Sequence, residues 1–320
     1  MEKADKLIYK KEEEKIRPHL LLGYEGSVAS KKALNYLKEV FEGVELDLTL
    51  VKIIPYPESL MNYETDVLKH LKKEIYIEKE AKRILEDAEK GLKVVKEELE
   101  SKLRGKVFIR VFFKYRDIAE TLVQLCREGY FDGVVVGRRG LTKIATYILG
   151  GVTHKLIGFA NLPVWIIRGT SWNKKFLIAI DFGETGIKVV DYVTFILNFH
   201  PWAEITFFHH FYPFAGLKNF EGTLEELLVE IKGSQEYRNF FEKIKMVCIE
   251  NGFPLNRVKF RLKRGFLGPA GEIIRTAKKG DYSTVVVGRR GRGGMSEFIL
   301  GSVSQKVLGY FEDRAVWIIS

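Results

Sequence analysis

The seven residues Val134 to Gly140, Val-Val-Val-Gly-Arg-Arg-Gly, recur unchanged at Val285 to Gly291. Two further matches lie downstream. Ile148-Leu149-Gly150 repeats as Ile299-Leu300-Gly301 at the same offset, and Trp165-Ile166-Ile167 as Trp317-Ile318-Ile319 after a one-residue insertion. A spacing of 151 residues is far too long for a solenoid, so the chain builds one domain-sized unit twice. Its length of 320 residues leads to the same count of two.

Each copy starts as an apolar β-branched run, turns on glycines and continues with helical spacing. Around it, strands alternate with helices. In the first half the strands are His19 to Glu25, Leu46 to Ile54 (stopped by Pro55 and Pro57), Val107 to Phe113, Gly133 to Val136 and Val164 to Ile167. Between them, Ile77, Ala81, Ile84, Ala88, Leu92, Val95 and Leu99 mark one face of a long charged helix, and Ile118 to Arg127 a shorter one. After Thr170 to Asn173 the pattern restarts, with strands at Phe176 to Ile180, Ile205 to Phe208, Val258 to Leu262, Val285 to Val287 and Val316 to Ile319. A single charged helical stretch is predicted over Leu224 to Asn251. Such alternation implies right-handed crossovers, and continuously apolar strands imply parallel sheets covered on both faces. The predicted organisation is a charged extension over 1–17, one domain over 18–170 and a second over 171–320.

Net charge is +10, which favours anionic partners. The basic residues are interleaved with Glu rather than grouped with aromatics, which disfavours nucleic acid. Cys126 and Cys248 provide no disulfide framework or zinc spacing, as expected in a reducing cytoplasm. A charged start predicts no signal peptide, and no apolar run is long enough for a bilayer, so a cytoplasmic location without membrane is expected. His209 and His210 are strand neighbours on opposite faces, which disfavours a shared metal. There is no Gly-x-Ser-x-Gly elbow and no phosphate-loop Gly-Lys-Ser/Thr, and no general base is placed by spacing. Efficient catalysis is therefore not expected; slow ATP hydrolysis is the most the pattern allows.

A strand followed by a glycine-rich loop and a helix start forms an anion cradle, because backbone N–H groups converge and the helix adds a positive end. In the second half Gly288, Gly291, Gly301 and Ser302 are spaced as Gly, two residues, Gly, nine residues, Gly-Ser. Arg289, Arg290 and Arg292 supply charge, and Gly293 and Gly294 supply freedom. Ser302-Val303-Ser304-Gln305 also fits a capping box, with Ser302 as the cap. Asp181 ends the neighbouring strand. This constellation resembles the nucleotide signature of the universal stress protein family.

The resemblance implies open parallel five-stranded sheets of order 3-2-1-4-5, like those of the adenine-nucleotide alpha-hydrolases, with helices on both faces. It implies ATP bound through Asp181 and the loop, with Mg2+ or Mn2+ arriving on the nucleotide, and His210 near the adenine. It also implies pairing through strand five, giving an internal pseudo-dimer, with a homodimer as a further assembly. The first half carries a weaker copy: Gly137, Gly140 and Gly150 are present, but Gly151 replaces the Ser and Glu25 replaces the acid. The function expected is adenine-nucleotide binding, mainly by the second half, in a regulatory or signalling role under stress. The alternative is a nucleotide-free scaffold for a protein, lipid or nucleic-acid partner.

Overall fold

The computed structural model describes residues 17–55, 67–114, 117–138, 151–160, 162–211, 217–231, 234–289 and 300–320. The first half runs β1 (His19–Gly23), α1 (Val28–Val40), β2 (Asp47–Ile54), α2 (Val67–Glu100), β3 (Val107–Phe113), α3 (Ile118–Glu128), β4 (Gly133–Gly137), α4 (Gly151–Phe159) and β5 (Val164–Ile167). The second runs β6 (Lys175–Ala179), α5 (Glu184–Asn198), β7 (Glu204–Phe211), β8 (Phe220–Gly222), α6 (Leu224–Glu230), α7 (Gln235–Glu250), β9 (Val258–Arg264), α8 (Gly268–Lys279), β10 (Thr284–Gly288), α9 (Ser302–Tyr310) and β11 (Ala315–Ile319).

The strands do not form two separate sheets. They form one eleven-stranded sheet of order β3-β2-β1-β4-β5-β11-β10-β6-β7-β9-β8. Within each half the order is 3-2-1-4-5 and the pairing parallel. The halves join where β5 meets β11 antiparallel, Trp165 opposite Trp317. The physical reason is that two fully apolar edges, Val-Trp-Ile-Ile and Ala-Val-Trp-Ile-Ile, each need a cover, and each covers the other.

The seam is short in hydrogen bonds and rich in aromatics. The two indoles stack with centroids 3.7 Å apart, and Phe41 stacks on Trp165. Both tryptophans are fully buried. Each removes on the order of 200 Å² from water, about 5 kcal/mol by area as an upper bound. That outweighs the net worth of a few ladder bonds at about 1 kcal/mol each. The helices cross the seam reciprocally. Tyr36 of α1 bonds Thr284 Oγ1 at 2.9 Å, while Tyr192 of α5 accepts from Trp165 Nε1 at 2.9 Å. His200, completely buried, bonds the Val40 carbonyl across the seam at 2.7 Å through Nε2.

Two details of the second half depart from the sequence expectation. The stretch 224–251 is two helices, α6 closed by a Thr223–Glu226 capping box at its start and α7 capped by Ser234. Strand β8 is an addition to the five, lying antiparallel on β9 and covering that edge. The first half has no such strand beside β3 among the described residues.

Candidate functional site

Strand order reverses between β6 and β10: β7 and β9 lie to one side, β11 to the other. In an open parallel sheet this reversal opens a crevice at the strands' carboxyl ends. Ala179 stands opposite Val287, so Asp181 and Arg289 both lie two residues beyond the last shared rung. β7 is longer than β6 and continues from His209 to Phe211 past the end of their ladder, which makes one wall of the crevice.

Asp181 is half-buried at the start of this crevice. Three residues on, α5 begins at Glu184 with Gly183 as its N-cap, and no side chain caps it. Asp181 sits tight against this helix. A Cβ on Gly186 would stand 2.1 Å from the Asp181 carbonyl oxygen and 3.0 Å from Oδ1, so only glycine fits there. Phe182 packs edge-on against His209, Tyr237 and Phe240. These side chains form an aromatic cluster beside Asp181 that pattern alone had not marked, because its members are dispersed along the sequence.

Across the crevice, Gly288 ends β10. The Gly301 amide donates to the Arg289 carbonyl at 2.8 Å, and the Ser304 hydroxyl donates to the Gly288 carbonyl. These two bonds bring the start of α9 back to the end of β10. Ser302 is exposed and is the first residue of α9. Here the capping-box reading is corrected. The N-cap is Gly301, with no side-chain cap, and the serine that bonds backbone is Ser304. The reading of Arg289 as a phosphate-neutralising charge is corrected too. Its side chain is buried, and Nη2 donates to the Gly158 carbonyl of α4 at 2.9 Å, in the other half. Arg290, Gly291, Arg292, Gly293 and Gly294 lie outside the described residues.

His210 stands near the end of the β7 wall, and its Nε2 lies 3.2 Å from the Gly265 carbonyl. His209 bonds the Ile180 carbonyl at 2.8 Å through Nδ1. In the first half, Glu25 is exposed and accepts from the Ser27 hydroxyl, and Ser27 also caps α1. Gly137 is required by packing, since a Cβ would stand 1.8 Å from the Ala29 carbonyl. Gly151 is the first residue of α4, and a Cβ there would meet nothing within 4 Å among the described residues. Gly140 and Gly150 lie outside the described residues. Among the described residues, no three His, Cys, Asp or Glu side chains group to hold a metal, and no helix is long and apolar enough to cross a membrane.

The model of the universal stress protein family matches the chain twice, over residues 17–168 and 173–312. A universal stress protein of Mycolicibacterium smegmatis is 24% identical over 204 residues, spanning 62% of this chain and 65% of that protein. Among solved structures, a universal stress protein from Archaeoglobus fulgidus superposes with a TM-score of 0.60 at 19% identity, covering 94% of this chain and 98% of that one. A putative universal stress protein from Pseudomonas aeruginosa gives 0.51 at 17%, covering 95% and 93%. At these identities the structures carry the fold alone. The doubled family match over the two halves carries more, and by it the chain belongs to the universal stress protein family.

Proposed function

We propose that the second half binds an adenine nucleotide, ATP first among them, and that the chain uses it in stress-related regulation rather than in rapid turnover. One observation carries this reading. The two helices that start at the crevice, α5 and α9, both begin on glycine without a side-chain cap. A glycine N-cap brings no side-chain acceptor to the first N–H groups, which suits a ligand with several acceptor oxygens, and the positive end of each helix favours an anion. Asp181 stands between them as an acceptor for ribose hydroxyls. The sequence of the 290–299 segment, with Gly291, Gly293, Gly294, Arg290 and Arg292, offers further amides and two positive charges to phosphate. Mg2+ or Mn2+ arrives on the phosphates, which suits a site without its own carboxylate cage. In this reading residues 18–170 and 171–320 are two domains of one cytoplasmic protein, and the first holds a degenerate site.

A scaffold role without nucleotide has one observation in its favour. Phe266 and Leu267, 90% and 62% exposed, form an apolar pair where β9 leads into α8. The test separates the two readings. The purified protein is denatured and the supernatant analysed for nucleotide, and the emptied protein is then titrated with ATP by calorimetry. Released adenine nucleotide or a saturable heat supports binding. Neither, together with an unchanged melting temperature, abandons it in favour of the scaffold.

A further inference from the structure

We infer that Arg289 is a positioning residue for the junction of β10 and α9 in the second half, and that it is held in place by the first half. The inference rests on the nucleotide reading for its consequence but not for its geometry.

Three contacts of Arg289 carry the inference. Its amide donates to the Ile319 carbonyl of β11. Its carbonyl accepts from the Gly301 amide at 2.8 Å, which ties the end of β10 to the start of α9. Its guanidinium crosses the seam and donates to the Gly158 carbonyl at 2.9 Å. Gly158 lies in the last turn of α4, where carbonyls have no partner within the helix and the helix dipole is negative. Of its neighbours, the Leu156 carbonyl accepts from the Ala160 amide and the Phe159 carbonyl from Arg127. Arg289 satisfies the Gly158 carbonyl with a charge-assisted bond in a buried setting.

This gives the first half a task separate from binding. α4 starts at Gly151, where that half's own motif has lost its serine, and ends on the arginine that joins β10 to α9. A contact also runs the other way: the carbonyl of Phe311, which follows α9, accepts from Arg168, which follows β5. A degenerate half that still supplies the α4 end keeps the second site in shape.

The experiment compares Arg289→Met and Arg289→Lys with Arg314→Met. Arg314 is also a buried arginine donating to a carbonyl, that of Tyr282, but it is remote from the loop anchor. Two readouts are taken: ATP affinity by calorimetry, and hydrogen exchange of the Gly301 amide by NMR without nucleotide. Losing one charge-assisted bond predicts ATP binding about tenfold weaker and Gly301 exchange about tenfold faster in Arg289→Met, with partial recovery in Arg289→Lys. Arg314→Met should lower the melting temperature and leave both readouts within about twofold. If Arg289→Met and Arg314→Met behave alike in both, Arg289 is only a packing residue and the inference falls. If the wild-type chain takes no ATP, the nucleotide reading falls by itself, because Gly301 exchange still decides the role of Arg289. Should Arg289→Met fail to fold, Arg289→Lys carries the same two readouts.

Discussion

The two halves share a strand order and a seven-residue motif, yet they treat the ends of their central strands in opposite ways. After β1, Ser27 caps α1 and its hydroxyl also holds Glu25, so acid and helix end satisfy each other. After β6 the N-cap of α5 is Gly183, which has no capping side chain, and Asp181 is pressed against Gly186. Ser30 occupies the place in α1 that Gly186 occupies in α5, bonding the Ser27 carbonyl at 3.1 Å. In the first half the acid is held by the serine that caps the helix; in the second, glycine stands at both corresponding places. What both halves retain, Val-Val-Val-Gly-Arg, builds the strand, the close approach to the first helix and, through Arg289, the seam.

The largest effect that would break this comparison lies at the seam. Trp165→Ala and Trp317→Ala should each cost about 3–5 kcal/mol in urea unfolding. A double mutant whose loss falls well short of the sum would show the stack acting as one unit; simple additivity would show the halves to be independent. Next comes pH. Burial lowers the His200 imidazole from 6.5 to about 4, with Lys174 and Arg257 adding to the shift and the Val40 bond opposing it. The unfolded chain therefore binds the proton first as pH falls. The stability present above pH 6.5 is lost toward pH 4, by about 3 kcal/mol. His200→Gln should flatten that slope; an unchanged slope would place the titration elsewhere.

Smaller effects sharpen the contrast between the sites. Gly186→Ala drives a methyl into the Asp181 carbonyl, which should cost about 1–3 kcal/mol and weaken ATP binding. Ser30→Ala, its counterpart, removes one local bond, should cost about 1 kcal/mol and leaves ATP affinity as it was. Equal effects on affinity would mean that both acids face ligand. The smallest change is Gly151→Ser, which has room for its side chain and should shift stability within about 0.5 kcal/mol without creating a second site.

Strands and the repeat were readable because parallel strands are continuously apolar, and that pattern is local. The β5–β11 pairing, a contact between residues some 150 apart, has no local period; it was expected from the family resemblance, but with two separate sheets rather than the single one it makes. β8 has three residues and no period of its own; pairing with β9 makes it a strand. The break between α6 and α7 had a signal in Gly233-Ser234, outweighed by the charged helical pattern on both sides. At the site, Asp181 and Gly288 fell where the spacing put them, whereas the cap on α9 moved by one residue to Gly301. Arg289 misled because residue type gives charge but not direction. Its direction is set by the end of a helix in the other half.

The two copies are proposed to be asymmetric, with one nucleotide site in a chain built twice. Calorimetric titration of ATP into the wild type, Ser302→Leu and Gly151→Leu tests this directly, since both leucines stand at the first residue of corresponding helices. The expected result is about one nucleotide per wild-type chain, affinity lowered by about tenfold or more in Ser302→Leu, and affinity unchanged in Gly151→Leu. Two equivalent sites in the wild type, or equal losses in both variants, would contradict it.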